Sequence, residues 1–175
     1  MLGVILGDGS LSKGRCGNGT GYGLRLEVKS EAFARKFASH VEAVVGRKPW
    51  FTTYTKTVKA NPKIRMPEVT ITCHITGIWS REWYDILAVF EKQRQFSGIL
   101  EFGEEFKRGF LQGMIDSEGY VNPKYVDVAN KDIQLLETVK LVAESLGHRA
   151  YVTGPYPYSR GVAHLRLDPI FQKTA

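Results

Sequence analysis

Asp8 and Glu118 occupy the same local setting in two distant parts of the chain. Each closes a short segment with small residues four apart, and each is followed by glycine. Met-Leu-Gly-Val-Ile-Leu-Gly-Asp at 1–8 contains Gly3 and Gly7. Phe-Lys-Arg-Gly-Phe-Leu-Gln-Gly-Met-Ile-Asp-Ser-Glu at 106–118 contains Gly109, Gly113 and Ser117, with Phe106, Phe110 and Met114 as an apolar stripe. Small residues at this spacing give a helix a flat face, and two such faces pack with their backbones almost touching. That packing brings the two C-terminal ends, and their acids, side by side. Carboxylates so close repel each other, and a divalent cation relieves the repulsion. Mg2+ takes one or two carboxylates and completes its shell with water and phosphate oxygens. The carbonyls of Gly7 and Ser117, in the last turn of each helix, would add neutral ligands. A cation so held would polarise a phosphodiester and activate a water for in-line attack. A lone Gly-Asp-Gly is usually a turn; the second copy is what points to catalysis.

The elements around each acid repeat. Leu24, Leu26 and Val28 alternate with Arg25, Glu27 and Lys29, the pattern of a half-buried strand. Ala34, Phe37, Ala38, Val41, Val44 and Val45 keep helical spacing up to Gly46, a C-terminal stop. Leu135, Leu136, Val139, Val142, Ala143 and Leu146 do the same up to Gly147. Strands are expected at about 50–56 and 69–76, then at 150–153 and 162–167. A third helix in the first half is expected to carry Trp79, Trp83, Ile86, Leu87 and Phe90 on one face. Asp8 to Glu118 is an offset of 110 residues, whereas Gly46 to Gly147 is 101. The difference falls in the glycine-rich stretch 14–23, read as a longer hairpin loop. The chain is therefore an internal repeat, of class α+β, with two pseudo-symmetric αββαββ(α) halves and antiparallel sheets. The halves are 1–92 and 101–175, joined by a linker at 93–100.

The bulk composition is compatible with this. A chain of 175 residues with 43% hydrophobic content can bury one core or two small ones. Its 24 Lys+Arg against 18 Asp+Glu give a net charge of +6, which favours an anionic partner, nucleic acid above all. Cys16 and Cys73 are far apart and lack companion ligand spacing, so neither zinc nor a disulfide scaffold is expected. No signal-peptide layout and no apolar run of about 20 residues is present, so the expectation is an intracellular protein, cytoplasmic or organellar, with no membrane partner.

The two segments resemble the paired signature helices of the LAGLIDADG homing endonucleases. They stand here as Met-Leu-Gly-Val-Ile-Leu-Gly-Asp-Gly at 1–9 and Leu-Gln-Gly-Met-Ile-Asp-Ser-Glu-Gly at 111–119. The likeness extends from residue 1 to about 167, and two motifs in one chain imply the class active as a monomer. It implies a site-specific, intron-encoded enzyme that cuts both strands of a long, asymmetric double-stranded DNA site with Mg2+ or Mn2+. Its metal-binding acids would be Asp8 and Glu118, and its two sheets would form a DNA-binding saddle. A lysine entering the helix after the second strand lies near the active-site waters in this family. Lys29 matches that position, and Lys131 matches it in the second half within one residue. There, a lysine would screen the carboxylates and phosphate or perturb the attacking water. Two departures stand out: the first signature helix starts at Met1, so its first turn is expected to fray, and only Pro169–Ala175 follow Asp168 where the family has a final helix.

The strand at 68–76 places Val69, Ile71, Cys73 and Ile75 on one face and Thr70, Thr72 and His74 on the other. A row of hydrogen-bonding side chains suits base edges in a major groove. Arg25 with Glu27, Thr53 with Thr55, Tyr151 with Thr153, and His164 with Arg166 are read as comparable polar faces. Lys13 and Arg15 in the first hairpin, Lys56, Lys59, Lys63 and Arg65 in the loop at 57–67, and Lys124 and Arg160 suit phosphate contacts, which set register and affinity.

Two other functions are compatible with parts of this pattern. A non-cleaving nucleic-acid-binding protein of the same fold, an RNA-splicing maturase or a transcription regulator, would use the same surface, RNA included, without needing both acids. An unrelated enzyme for a small phosphorylated substrate would need a compact pocket, and no Walker-type Gly-Lys-Ser/Thr loop is present. Self-splicing is not expected, since position 1 is neither Cys nor Ser and no terminal His-Asn is present.

Overall fold

Helix ends are where local sequence acts most directly on this chain. Ser30 accepts a hydrogen bond from the Phe33 amide at 3.2 Å and opens a 15-residue helix, which Gly46 closes at φ 71°. Asp132 accepts from the Leu135 amide at 3.1 Å in the equivalent place of the second half. A side-chain oxygen at this position satisfies an amide that the helical ladder leaves without a partner. The computed structural model describes residues 1–16, 18–60, 67–156 and 159–169. Its elements in chain order are α1 (Leu2–Gly7), β1 (Gly9–Cys16), β2 (Gly19–Val28), α2 (Glu31–Val45), β3 (Trp50–Val58), β4 (Val69–Trp79), α3 (Arg81–Glu91), a 3-10 turn (Phe96–Glu101), α4 (Glu104–Glu118), β5 (Gly119–Asn122), β6 (Tyr125–Asn130), α5 (Ile133–Ser145), β7 (Ala150–Thr153) and β8 (Ala163–Leu167). The expected α+β class and the order of elements in both repeats are observed. Among the described residues, no helix is long and apolar enough to cross a membrane.

Contacts group the chain into two compact units, Gly9–Tyr84 and Met1–Asp8 with Asp85–Ala175. This grouping differs from the halves at 1–92 and 101–175, because α1 buries Leu2, Gly3, Val4 and Ile5 and packs on α4. The segment 93–100, read as a linker, contains most of the 3-10 turn; Phe96 and Ile99 are buried and the turn packs on α5. Its two large apolar side chains make it core.

In the unit Gly9–Tyr84, an antiparallel sheet runs β1-β2-β4-β3. Leu26 pairs with Thr76, and Thr76 pairs with Phe51, so these three share one face. Leu24, Ile78, His74 and Thr53 lie on the same face by the same register. Helix α2 covers it with Ala34, Phe37 and Val41, and its Arg35 guanidinium stacks 4.6 Å from the Phe51 ring centre. The opposite face carries Arg25, Glu27, Ile75, Cys73, Tyr54 and Lys56. Gly23 and Gly77 interrupt the strands on that face because the Trp79 and Trp50 rings lie over them; a Cβ on Gly23 would be 3.0 Å from the Trp79 ring. Two expectations are corrected here. Residues 14–16 and 19–23 of the glycine-rich stretch are paired strand, with Gly14 opposite Gly21 and Lys13 opposite Tyr22. Trp79 ends β4 opposite Gly23 and does not belong to the third helix, whose buried residues are Leu87 and Ala88 while Ile86 is exposed.

In the other unit, the sheet runs β5-β6-β8-β7. Val126, Val128, Leu165 and Leu167 line its buried face, and α5 packs on the sheet with Leu135, Leu136, Val139 and Val142 buried. Asp127, Arg166, Tyr151, His164 and Thr153 share the opposite face. Residues 170–175, where the family's final helix was expected to be cut short, lie outside the described residues.

The contact between α1 and α4 is backbone against backbone. A Cβ on Gly3 would collide with the Phe110 carbonyl oxygen and sit 2.8 Å from the Met114 amide nitrogen. A Cβ on Gly113 would be 3.0 Å from the Val4 amide nitrogen. Gly109, read as part of the same small face, has open space at its Cβ position and takes no part. Gly3→Ala should therefore destabilise the protein by about 1–3 kcal/mol in urea unfolding, since backbone cannot move aside as a side chain can. Gly109→Ala should be neutral or stabilise by about 0.5–1 kcal/mol, because alanine is the better helix former. Equal effects would show that the helix contact is not what these glycines serve.

Candidate metal centre and nucleic-acid-facing surfaces

Asp8 caps α1, its amide donating to the Val4 carbonyl at 3.0 Å, and Glu118 is the last residue of α4. Each acid stands at a junction where a helix gives way directly to a strand, Gly9 opening β1 and Gly119 opening β5. Asp8 and Glu118 belong to the same compact unit. Gly7 lets them approach: a Cβ there would sit 2.9 Å from the Ser117 Cβ and 3.0 Å from the Glu118 Cγ. Glu118 is partly buried, and its carboxyl is held above the usual range first by that burial and then by the charge of Asp8. The expected repulsion between the two acids is thus present.

Asn130, not singled out from sequence, donates from Nδ2 to Glu118 Oε1 at 3.3 Å and accepts the Asp132 amide on Oδ1 at 2.8 Å. Its signal was available only in hindsight, as the residue before Lys131 at the end of β6. Gly7, Glu118, Asn130, Lys131 and Glu91 line a cavity of about 550 Å³. Glu91 ends α3, far from any motif, and nothing in the sequence marks it.

The two lysines have equivalent places. Lys29 precedes the cap Ser30 of α2, and Lys131 precedes the cap Asp132 of α5. Lys131 shares the unit of the two acids; Lys29 belongs to Gly9–Tyr84. The Ser117 hydroxyl donates to the Gly113 carbonyl at 2.8 Å, turned back onto its own helix. Among the described residues, no group of three or more His, Cys, Asp and Glu gathers at one point. Two carboxylates with neutral carbonyls fit a hard cation that keeps water and binds substrate phosphate, and they do not fit zinc.

The nucleic-acid-facing candidates divide. In the second sheet, Tyr151, Thr153, His164 and Arg166 share one face as expected. His164 pairs with Asp127 at 3.1 Å, and the Arg166 guanidinium stacks 4.7 Å from the Tyr125 ring centre. Arg166, Tyr151, Lys124 and Arg149 line an open cavity of about 380 Å³. In the first sheet, the expected polar residues divide between the two faces. Thr70, Thr72, His74, Thr53 and Thr55 lie on the side to which α2 packs, where the four threonines stay exposed, and Arg25 and Glu27 are on the other. His74 is only 8% exposed and bonds Thr53 Oγ1 at 3.0 Å, so it is turned inward. The reason is Leu24 and Leu26, whose burial sets the face, while β4 carries polar residues on the covered side and Ile71, Cys73 and Ile75 on the other. Cys73 is a free, buried thiol.

Of the basic residues, Lys13 and Arg15 lie in β1, and the Lys13 ammonium is 5.4 Å from the Tyr22 ring centre. Lys56 lies in β3 rather than in a loop, and Lys59 follows the strand. Lys63 and Arg65 lie outside the described residues. Lys124 sits in the β5–β6 turn, its amide bonded to Asn122 Oδ1 at 3.0 Å. Arg160 occupies a turn before β8 at φ 53°.

Residues 105–167 match the family model described as a LAGLIDADG-like domain. Over 95% of this chain and 80% of the other, the fold matches mesophilic variants of the homing endonuclease I-DmoI, with a TM-score of 0.65 and 23% identity. I-DmoI in complex with DNA and Mn matches at 0.61 and 22% identity, over 95% and 86% of the two chains. Full-length DUF199/WhiA from Thermatoga maritima matches at 0.58 and 16% identity, over 97% of this chain and 49% of that one. No curated protein matches the sequence. The second repeat is thus similar to a LAGLIDADG-like domain, and the chain has the fold of the I-DmoI structures, with two antiparallel four-stranded sheets.

The raised Glu118 carboxyl has a thermodynamic consequence. Between its ordinary value of 4.5 and the raised one, the folded state binds more protons than the unfolded. Metal-free stability should therefore fall as pH rises through that window. Glu118→Gln removes the penalty, so without metal it should melt above the parent at pH 7 and converge with it below 4.5. Thermal melts across this range check the sign. An advantage that is independent of pH would show that the charge on Glu118 is not destabilising.

Proposed function

We propose that the protein is a site-specific DNA endonuclease that hydrolyses phosphodiester bonds in both strands of a long, asymmetric duplex, working inside the cell as a monomer with a divalent metal. One observation carries the reading: Asp8 and Glu118 end two helices whose packing through Gly3, Gly7 and Gly113 leaves no room for a Cβ, so both acids are committed to one place. In this reading Asp8 and Glu118 hold Mg2+ or Mn2+, with the Gly7 and Ser117 carbonyls as neutral ligands. When bound, the cation supplies charge neutralisation at the scissile phosphate and an acidified water. Asn130 orients Glu118 through its Oε1. Lys131, lining the cavity beside Glu118, screens the phosphate, and Lys29 does so for the repeat-related strand. The uncovered sheet faces, with Arg25 in one sheet and Tyr151, Thr153, His164 and Arg166 in the other, meet base edges in the major groove, while the expected base contact of Glu27 gives way to its bond with Arg25. Lys59, Lys124 and Arg160 meet phosphates. The I-DmoI structures with DNA and Mn or Ca support both the partner and the type of metal.

A second reading, a nucleic-acid-binding protein that does not cut, is favoured by the fold match to DUF199/WhiA. Retention of both acids argues against it. Incubation with Mg2+ and a randomised duplex library, followed by sequencing of ends, decides the matter: discrete cut sites are expected. Asp8→Asn and Glu118→Gln should each reduce cutting roughly 100-fold or more, since even residues behind metal ligands cost 10–100-fold, and should bind DNA nearly as the parent does. Normal cutting by either variant would remove the shared site. Light scattering should report one chain per DNA site; an active dimer would contradict the internal-repeat reading.

A further inference from the structure

On the uncovered face of the first sheet, three donors converge on one carboxylate. Tyr54 Oη donates to Glu27 Oε1 at 2.5 Å, and Lys56 Nζ donates to the same oxygen at 2.9 Å. Arg25 Nη2 donates to Oε2 at 2.8 Å. Glu27 stands on β2, while Tyr54 and Lys56 stand on β3, with β4 between them. The Glu27 side chain therefore reaches across a whole strand, a span of roughly two strand spacings shared between acid and partners. The register leaves that crossing clear. Glu27 lies opposite Ile75 and Tyr54 opposite Cys73, so β4 places no competing charge or amide under the network.

Stability does not account for this arrangement. The side chains of Arg25 and Lys56 are 46% and 45% exposed, and exposed ion pairs add little to folding. What the network does is fix two long, mobile cations. One carboxylate answers two positive charges, so the cluster keeps a net charge of +1 directed outward. Arg25 commits one amino group to Glu27 and keeps its other N–H groups for a ligand; Lys56, bonded to Glu27 and to the Tyr54 oxygen, keeps one of its three protons. Arginine and lysine paired with guanine O6 and N7 are the commonest specific contacts in a major groove. Ordering such side chains normally costs affinity at the moment of binding; here folding has done it already.

We propose that Glu27 is a positioning residue which, held by Tyr54, fixes Arg25 and Lys56 as guanine readers of the first sheet. Glu27 itself does not accept from a base. The proposal rests on the DNA reading for its ligand and is independent of whether the protein cuts.

The test starts from duplexes that the parent protein selects from a randomised pool, with affinities then measured for every single-base variant at several salt concentrations. Arg25→Ala and Lys56→Ala should each flatten preference for guanine at one or two positions, by roughly tenfold. Glu27→Gln adds one positive charge, so it should bind all duplexes at least as tightly as the parent. It should nonetheless lose discrimination severalfold at those same positions, because its readers are released. Tyr54→Phe, which keeps the ring and every charge, should show the same positional loss in milder form, and melting curves confirm that each variant is folded. Discrimination left intact by both Glu27→Gln and Tyr54→Phe overturns the positioning role. So does a loss at a different base, such as a cytosine that Glu27 reads directly, or a parent with no base preference at these positions. A parent that selects DNA but never cuts it would sink the endonuclease reading alone and leave this one standing.

Discussion

The close approach of α1 and α4 is the constraint from which the rest of the site follows. Gly3 and Gly113 bring backbone within van der Waals contact of backbone, and Gly7 leaves room for the Ser117 hydroxyl and the Glu118 methylenes. Such a contact has one register, because shifting either helix by a residue drives a side chain into main chain. The register decides where the helices end, and the ends carry Asp8 and Glu118. Two acids are thus held together by packing that owes nothing to their charges, and Glu118 responds by holding its proton more tightly. The fold maintains an electrostatic cost where a cation can relieve it, as functional sites often do.

Around this contact the repeat distributes its parts unevenly. The helix after each sheet's second strand begins with a lysine followed by a side-chain cap, Lys29-Ser30 and Lys131-Asp132, so the local device is the same in both copies. Their surroundings are not the same. Asn130 ties the Lys131 turn to Glu118, while the equivalent step of the first copy carries Val28. The uncovered sheet faces also differ in how they hold their polar side chains. Glu27 gathers Arg25, Lys56 and Tyr54 in one, whereas in the other Asp127 holds His164, and Arg166 stacks on Tyr125.

The order of elements, the two acids, the helix stops at Gly46 and Gly147 and the lysines beside the caps were legible in the sequence. Each depends on residues within about one helical turn or on a period of two or four, and physics at that range is written in neighbouring letters. Alternation along one strand was legible too, but not which side of it faces inward. β4 shows why: its apolar Ile71, Cys73 and Ile75 look like the buried row, yet Leu24 and Leu26 on the neighbouring strand carry the helix, and pairing puts His74 and Thr76 with them. The energy of burying two leucines under α2 outweighs what β4 prefers by itself.

What the sequence by itself determined about this protein is therefore the repeat, the fold class and the presence of two equivalent acids, since all three are properties of local pattern and of its recurrence. Only the tertiary structure decided which glycines touch backbone, that Gly109 does not, that Phe96 and Ile99 make the supposed linker part of a core, and that Asn130 bonds Glu118 and Tyr54 bonds Glu27. These depend on strand register and helix contact between segments distant in the chain. A side chain's partner there is set by the position of the whole element, which no single residue encodes.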